Sequence, residues 1–304
     1  MMKVLYPLHG IVTVLNTPFT HDDKVDREAL AHHVRMALDA GVSGFLVPAM
    51  ASEVKKLTHS EKLGMVEKVL EVVNNAVPVF AGTADVDIQS SGKIIKAYQA
   101  LGCRHFLVQI PFQEPDQFKG DFLNLMDHDP EVVMLQDWDP NGYGLPDELI
   151  LELFDQVPAF RCLKVETVPA GVKYSSILRQ TEGRLNVSGG WAVSQMPEAL
   201  ERGVHAFMPT GMHHIYTKIF SDYKAGDIDQ AKALFNKLLP VLAFSNQHLD
   251  ISIHFFKWML WKQGIYPTPN VRKPILSFDE THQKIADQLI DFVINKELEI
   301  QGLK

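Results

Sequence analysis

The chain has 304 residues, of which 46% are hydrophobic, and its formal charge is -8 at pH 7. This length and apolar content are sufficient for one large core, and single-domain α/β barrels often have this size. The net negative charge argues against nucleic acid or an anionic membrane as the partner and favours a small solute.

Short apolar runs that are rich in β-branched residues predict eight strands. In chain order, the predicted strands cover residues 11–15, 44–47, 79–81, 106–108, 132–135, 162–163, 185–187 and 206–208. Helix-length segments lie between them, and several begin with Ser, Thr or Asp, as N-capped helices do. The clearest of these segments cover residues 26–40, 58–73, 87–101, 116–126 and 194–202. Strands that alternate with helices favour a parallel sheet, and eight such units predict a (β/α)8 TIM barrel.

Three further helical patterns follow the eighth unit. They cover residues 228–244, 249–263 and 281–297. Gly264 and a group of prolines separate the last two patterns. We therefore predict a barrel over residues 1–225 and a C-terminal helical extension over residues 226–304 that packs on the barrel.

The amino terminus has no long apolar segment followed by a small-residue cleavage site, and no later apolar run reaches the length of a membrane span. We therefore expect a soluble, cytoplasmic protein with no membrane partner. The only cysteines are Cys103 and Cys162, and their spacing does not match a zinc site. We expect both to be reduced thiols in the core.

Lys164 stands alone at the end of the sixth apolar run, within residues 160–167. In a TIM barrel the active site is built at the carboxyl ends of the strands, so this lysine belongs to the functional face. A buried ammonium without a partner tends to lose its proton, and the neutral amine can attack a carbonyl carbon to form a Schiff base. The alternative is a lysine just past the strand, in solvent.

Short motifs at the strand ends and in the last third of the chain have a shared order and spacing. They are Thr17-Pro18-Phe19, Val25-Asp26, Ala40-Gly41-Val42-Ser43-Gly44, Glu53, Pro111, Lys164, Ser188-Gly189, Lys224-Ala225-Gly226-Asp227 and Leu238-Leu239-Pro240. Over nearly the whole chain, this set resembles the dihydrodipicolinate synthase and N-acetylneuraminate lyase family of class I aldolases. The resemblance implies that Lys164 forms an imine with the ketone of pyruvate or a related 2-keto acid. The protonated imine would then act as an electron sink.

The loop after the second strand departs from the family pattern. Many members have Gly-Thr-Thr-Gly-Glu there, and its hydroxyl and backbone N–H groups bind the carboxylate of the keto acid. Here residues 49–53 read Ala-Met-Ala-Ser-Glu, so both threonines are missing. We expect backbone donors at Ala51 and Ser52, with the Ser52 hydroxyl, to take that role, while Glu53 braces the loop.

Two further departures remove the tyrosines of the family's proton relay. Gln113 stands in the usual Pro-Tyr-Tyr run, and Gln136 replaces the tyrosine that ends the fifth strand. A glutamine amide cannot act as a general acid or base near neutral pH, so Gln136 is expected only to contact the substrate. Gly189 and Met208 match positions at which the family contacts the bound keto acid.

Glu166 is the nearest carboxylate in sequence that can replace the missing relay. It follows Lys164 by two residues, and alternation along a strand directs both side chains to the same face. The alternative is that Glu166 only pairs with Lys164 and keeps it charged. Asp137, Asp139 and Tyr143 are further candidates for proton transfer, although alternation directs Asp137 away from Gln136 and the other two lie in a loop.

The resulting hypothesis is a Schiff-base lyase, an aldolase or a dehydratase, that acts on pyruvate or a 2-keto-3-deoxy acid. Met50, Ala51 and Phe112 make the site more apolar than in most members, so a hydratase-aldolase with a bulkier apolar substrate is an alternative. A non-catalytic keto-acid binder that lost its proton relay is a third reading. The dihydrodipicolinate synthase reaction is disfavoured because the relay residues are replaced.

No cofactor is expected. A metal site is not expected either, because adjacent histidines such as His213 and His214 diverge on a helix and no carboxylate lies one turn away. Trp191, beside the double glycine, is a candidate wall of the substrate pocket.

Family members assemble through the barrel and its carboxyl-terminal helices, and residues 255–261 are apolar. The partner is therefore expected to be the chain itself, in a homodimer or homotetramer.

Overall fold

The computed structural model of the chain describes residues 3–303, apart from the side chains of Trp191 and Ala192. Its strands are β1 (Gly10–Val14), β2 (Gly44–Leu46), β3 (Val79–Gly82), β4 (His105–Val108), β5 (Val132–Asp139), β6 (Phe160–Thr167), β7 (Asn186–Gly189) and β8 (Ala206–Phe207). The α-helices are α1 (Arg27–Asp39), α2 (His59–Val73), α3 (Ile88–Ala100), α4 (Pro115–Met126), α5 (Asp147–Gln156), α6 (Ala170–Gln180), α7 (Met196–Glu201), α8 (His213–Ala225), α9 (Ile228–Ser245), α10 (Leu249–Lys262) and α11 (Glu280–Ile300).

The strands form a closed barrel in which β1 to β8 follow one another in chain order. The registered pairs are parallel, and helices separate successive strands, so the predicted (β/α)8 barrel is confirmed. The strands are buried along almost their whole length, because a parallel barrel has side chains inside and helices outside.

Helix starts follow the capping chemistry of the sequence where that chemistry exists. Asp26 caps α1 by accepting the N–H groups of Glu28 and Ala29. Thr58 and Glu61 form a reciprocal capping box at the start of α2. These side chains satisfy backbone donors that have no partner within the helix, so the sequence predicts both starts within one residue.

Helices α5, α6 and α8 were not singled out from the sequence, and their first turns explain why. Pro146 and Pro169 precede α5 and α6, and Met212, in a left-handed conformation, precedes α8. None of these three residues makes a side-chain cap. The usual sequence signal for a helix start is therefore missing at all three.

Strands β5 and β6 are longer than predicted. The sequence predicted strands over residues 132–135 and 162–163, but both strands run to eight residues. They pair through Gln136 opposite Lys164 and on to Asp139 opposite Thr167. The prediction stopped where the apolar residues stop, and polar side chains follow there in both strands. The backbone pairing between the two strands nevertheless continues through these polar residues. Gln136, Lys164 and Glu166 therefore lie within strands.

The chain divides into two compact units. Unit 1 consists of Met1–Val12 and Pro78–Met208, and unit 2 consists of Thr13–Val77 and Pro209–Lys304. Unit 1 carries β3 to β8, and unit 2 carries β2 with the C-terminal helices. Because barrel strands occur in both units, this division does not test the predicted barrel of residues 1–225 and extension of residues 226–304, which stay a prediction.

Among the helices of residues 3–303, none is long and apolar enough to cross a lipid bilayer.

Candidate active site

Lys164 lies in the interior of β6 and is only 5% exposed. Its Cα is paired with Gln136 on β5 and with Ser188 on β7. The amine therefore stands within the sheet and not in solvent, which excludes the alternative of a surface lysine past the strand end. A lysine in this position needs a partner or must give up its charge.

The Glu166 carboxylate is that partner. Its Oε1 lies 3.2 Å from Lys164 Nζ, and the two side chains are 12% and 6% exposed. Glu166 Oε2 accepts a hydrogen bond from the Gln136 side-chain amide. Strand alternation predicted that Lys164 and Glu166 share a face, and the structure has them in contact. An amide, a carboxylate and an amine thus form one buried chain across β5 and β6.

The end of β7 supplies the small residues beside this chain. Gly189 is paired with Val165 of β6, and its carbonyl accepts the N–H of Met208 at 3.1 Å. Met208 is 4% exposed. The next residue, Gly190, lies so close to Glu166 that an added Cβ would stand 2.6 Å from the Glu166 Cδ atom. Gln136, Lys164, Glu166, Gly189 and Met208 therefore all belong to unit 1.

Asp137, a candidate base, is engaged elsewhere. Its Oδ2 lies 2.7 Å from Lys173 Nζ of α6, and its Oδ1 accepts the N–H of Leu145 at 2.9 Å. Both charged side chains are essentially inaccessible to solvent. Burial raises the pKa of Asp137, although the Lys173 ammonium opposes that shift. This pair holds the loop after β5, and both carboxylate oxygens of Asp137 are engaged in structural contacts.

The other two candidates in that loop also have structural partners. Asp139 accepts the N–H groups of Asn141 at 3.0 Å and Gly144 at 3.3 Å. The Tyr143 hydroxyl donates to Asp147 at 3.2 Å, and the tyrosine is 39% exposed. These bonds make a turn, as Asp side chains commonly do. Glu166 is the carboxylate that contacts Lys164.

Ala51 and Ser52 lie in unit 2, in the short 3-10 helix Met50–Ser52. The Ser52 hydroxyl donates to the Leu15 carbonyl at 2.5 Å and accepts the N–H of Ala49 at 2.9 Å. The Ala51 carbonyl accepts from the Asn16 side chain at 2.7 Å. The hydroxyl is therefore used within its own loop, and the role of both residues in binding a carboxylate stays a prediction.

Glu53 closes the same loop through a second buried ion pair. Its Oε1 lies 2.7 Å from Lys257 Nζ of α10, and both side chains are fully buried. Its Oε2 accepts the backbone N–H of Arg272 at 2.8 Å. Burial lowers the pKa of Lys257 to about 8, and the Glu53 charge opposes this. These contacts match the expected bracing role of Glu53.

Sequence reasoning missed Lys173 and Lys257. The signal for Lys257 was present, because a lysine inside the apolar run 255–261 requires a buried carboxylate. Lys173 of α6 is also buried against a carboxylate, but its partner Asp137 lies on β5, so the two are far apart in the sequence.

His213 is buried, and burial lowers its pKa to about 3, so the ring is neutral. The predicted pocket wall, the side chain of Trp191, lies outside the described part of the chain.

Comparison with known proteins identifies the family of the chain. The profile of the dihydrodipicolinate synthetase family matches residues 7–293. The 4-hydroxy-tetrahydrodipicolinate synthase 2 of Halalkalibacterium halodurans is 26% identical over 248 residues, which are 76% of this chain and 81% of that protein. The 4-hydroxy-tetrahydrodipicolinate synthase of Oceanobacillus iheyensis is 24% identical over 300 residues, which are 94% of this chain and 98% of that protein.

Solved structures show the same fold at lower identity. The dihydrodipicolinate synthase of Rhodopseudomonas palustris superposes with a TM-score of 0.87 at 19% identity, covering 96% of this chain and 99% of that one. The chloride-inhibited enzyme of Acinetobacter baumannii in complex with pyruvate has a TM-score of 0.82 at 18% identity, covering 98% and 100% of the two chains. With a profile match that spans nearly all of its length and a barrel of the same architecture, the chain belongs to the dihydrodipicolinate synthetase family.

Proposed function

We propose that the protein is a Schiff-base-forming lyase that acts on pyruvate or on a 2-keto-3-deoxy acid, with Lys164 as the nucleophile. The observation that carries the proposal is the buried contact between Lys164 Nζ and Glu166 Oε1 at 3.2 Å. Family membership and the pyruvate complex of the Acinetobacter baumannii relative support a keto acid as the substrate.

In the proposed reaction, Lys164 passes a proton to Glu166, and its neutral amine then adds to the ketone carbon. Glu166 returns that proton to the hydroxyl group of the adduct, which leaves as water and gives a protonated imine. For aldol cleavage, a base takes the proton of the substrate's hydroxyl group while the carbon-carbon bond breaks. The bonding electrons move into the imine and form an enamine. The aldehyde leaves, the enamine carbon regains a proton, and water releases the keto acid from the lysine.

Glu166 is the proposed base in these steps. Its carboxylate lies at hydrogen-bonding distance from the nitrogen to which the substrate is attached, so atoms next to the imine carbon come within its reach. The Gln136 amide holds the other carboxylate oxygen without exchanging a proton. Gln136, at the position of the family's tyrosine, thus supplies a hydrogen-bond donor, and Glu166 is the group proposed to transfer protons.

A hydratase-aldolase with an aromatic or otherwise apolar substrate is a second candidate, and Trp138 favours it. Trp138 follows Gln136 by two residues on β5, so the two side chains share a face, and its Cα is paired with Glu166. Its side chain is 44% exposed, and Phe112 after β4 is 40% exposed. Exposed aromatic rings that follow the apolar parts of neighbouring strands suit a substrate with an apolar group.

The first experiment is reductive trapping of the imine. The protein is incubated separately with pyruvate, with several 2-keto-3-deoxy sugar acids, and with a 2-keto acid conjugated to an aromatic ring. Borohydride is then added and the intact mass is measured. We expect a stable adduct of one substrate per chain with at least one of these compounds. No adduct with any compound contradicts the proposal.

Turnover then separates the candidate functions. Each compound that formed an adduct is then incubated with the protein without borohydride, and the release of pyruvate is followed with a coupled lactate dehydrogenase assay. Imine formation without turnover would support the non-catalytic keto-acid binder. If the aromatic substrate is the true one, Trp138→Ala lowers kcat/KM for that substrate alone, and Leu123→Ala, which removes another exposed apolar side chain, in α4, has no effect. The synthase reaction itself is not proposed, because Gln113 and Gln136 cannot relay protons.

A further inference from the structure

Gly190 has no conformational need to be glycine. Its backbone angles are φ -76° and ψ -58°, in the right-handed helical region that every L-amino acid adopts easily. Gly190 precedes the 3-10 helix Trp191–Gln195, where glycine is common, but this preference does not require glycine. The space that a side chain would occupy gives a specific reason for a glycine at this position.

That space is filled by the Glu166 carboxylate. A Cβ built on Gly190 would overlap Glu166 Oε1 and would stand 2.6 Å from Cδ and 3.0 Å from Cγ of the same side chain. Carbon atoms in contact are about 3.5–4.0 Å apart, so the carboxylate cannot stay in place beside a methyl group. The three atoms nearest to that position all belong to Glu166.

The oxygen that would be displaced is the one that contacts the amine. Glu166 Oε1 lies 3.2 Å from Lys164 Nζ, while Oε2 accepts the Gln136 amide. Gln136 thus holds the carboxylate from β5, and the empty side-chain position at 190 leaves room for it after β7. A methyl group at 190 would move Oε1 without changing the charge of Glu166 or the identity of Lys164.

We propose that Gly190 is a positioning residue of this site, because its missing side chain gives the Glu166 carboxylate its place against Lys164. The predicted effect of Gly190 on turnover rests on the function proposed above. The predicted effect of Gly190 on the contact between Glu166 and Lys164 is independent of that function. Gly190 acts through Glu166, so its loss and the loss of the Glu166 carboxylate must have overlapping consequences.

The test uses Gly190→Ala, Glu166→Gln, the double variant, and Gly120→Ala as the matched control. Gly120 lies in α4, where an added Cβ has no atom within 4 Å. The first measurement is carbamylation of Lys164 by potassium cyanate at neutral pH, quantified by peptide mass spectrometry. Cyanate reacts with neutral amines and requires no keto acid, so this measurement remains informative if no substrate is found.

We expect Lys164 to be carbamylated several-fold faster in Gly190→Ala and Glu166→Gln than in the wild type, because its ammonium loses the contacting carboxylate. Gly120→Ala should match the wild type. With a substrate in hand, Gly190→Ala should lower turnover by about 10-fold or more, while Glu166→Gln, which removes the base itself, should lower it by about 100-fold or more. The double variant should be no slower than Glu166→Gln alone.

Two results would overturn the proposal. One is a Gly190→Ala variant whose Lys164 reacts with cyanate as in Gly120→Ala. The other is a double variant whose loss of turnover is the product of the two single losses. If the wild type forms no imine, the proposed function fails, and cyanate labelling alone decides the role of Gly190.

A structural cycle covers the case in which Gly190→Ala does not fold. Glu166→Ala removes the side chain that conflicts with the new methyl group. If the conflict is with Glu166, the variant that combines Glu166→Ala and Gly190→Ala folds and unfolds thermally like Glu166→Ala alone. A combined variant that also fails to fold would show that another contact requires the glycine, which contradicts the proposal.

Discussion

Glu166 makes two kinds of contact that have different consequences. Contact with Lys164 stabilises an ammonium, whereas the bond from Gln136 only orients the carboxylate. If Glu166 only pairs with Lys164, it has no part in proton transfer to the substrate. A general base, in contrast, must exchange protons with the bound substrate. The two roles are separated by variants that keep the shape of the side chain and remove its charge.

We expect Glu166→Gln to retain imine formation and to lower turnover by about 100-fold or more, the usual scale for general acid-base help. The measurements are borohydride trapping and steady-state turnover on the same substrate. Glu131→Gln, an exposed carboxylate in the same unit that pairs with Arg104, is the control and should change neither. Faster trapping with unchanged turnover would show that Glu166 only pairs with Lys164, and proton transfer would then pass to Tyr143 or to water.

At the scale of elements, the loop after β5 depends on a lysine from α6. Lys173 Nζ donates to the carbonyls of Tyr143, at 2.9 Å, and Leu145, and forms the ion pair with Asp137. Gly144, with φ 79°, packs so closely that an added Cβ would stand 2.9 Å from the Asp137 Cγ atom. The backbone N–H of Val168 then donates to Gly142 at 3.0 Å, which joins the loop to the end of β6.

Lys173→Met should lower the free energy of unfolding by about 3–5 kcal/mol, because it leaves the Asp137 charge buried without its partner. The change is measured by urea denaturation. Lys119→Met is the matched control, since Lys119 pairs with Glu152 on the surface and such pairs contribute about 1 kcal/mol or less. Adding Asp137→Asn to Lys173→Met should recover part of the loss. Equal losses in Lys173→Met and Lys119→Met would contradict this account.

Helices α8 and α11 meet through a buried carboxyl group. Glu297 of α11 accepts the backbone N–H of His214, in the first turn of α8, at 3.1 Å. Burial raises the pKa of Glu297 from 4.5 to about 7, although the hydrogen bonds it accepts oppose this. The folded state therefore binds a proton that the unfolded state has released between these two values.

The free energy of unfolding should consequently fall as pH rises from about 4.5 to about 7, by about 3 kcal/mol for a shift of this size. Glu297→Gln should remove most of this fall, as measured by urea denaturation at several pH values. Glu299→Gln, on the exposed side of the same helix, is the control and should keep the wild-type slope. A Glu297→Gln profile as steep as that of the control would show that Glu297 is not the responsible group.

At the scale of the whole molecule, the sequence predicted the barrel because eight strand patterns recur along the chain and five of the segments between them have clear helix patterns. It also predicted that Lys164 and Glu166 share a face, since that requires only strand alternation. It did not predict the pairs of Lys173 with Asp137 and of Lys257 with Glu53. Their partners lie on other elements, so only the folded arrangement brings them together. The sequence also did not predict that position 190 requires glycine, because this requirement depends on the conformation of the Glu166 side chain.

We predict that the chain is a homodimer or a homotetramer. The apolar segment that suggested a subunit contact is largely buried within unit 2, since Phe255 and Leu260 are fully inaccessible. Trp261, at 40% exposure, and Leu276, at 49%, remain as apolar surface. Light scattering at micromolar concentration should give the mass of two or four chains, and Trp261→Glu should shift it towards the monomer. A wild type that scatters only as a monomer contradicts this prediction.

The central claim is that Lys164 is the amine that bonds to the substrate. The most direct test is peptide mapping by mass spectrometry of the protein after incubation with a keto acid and reduction with borohydride. The account predicts the added mass on Lys164, and none in Lys164→Ala, in which the buried lysines Lys173 and Lys257 are still present. An adduct on either of those lysines, or one that persists in Lys164→Ala, would contradict it.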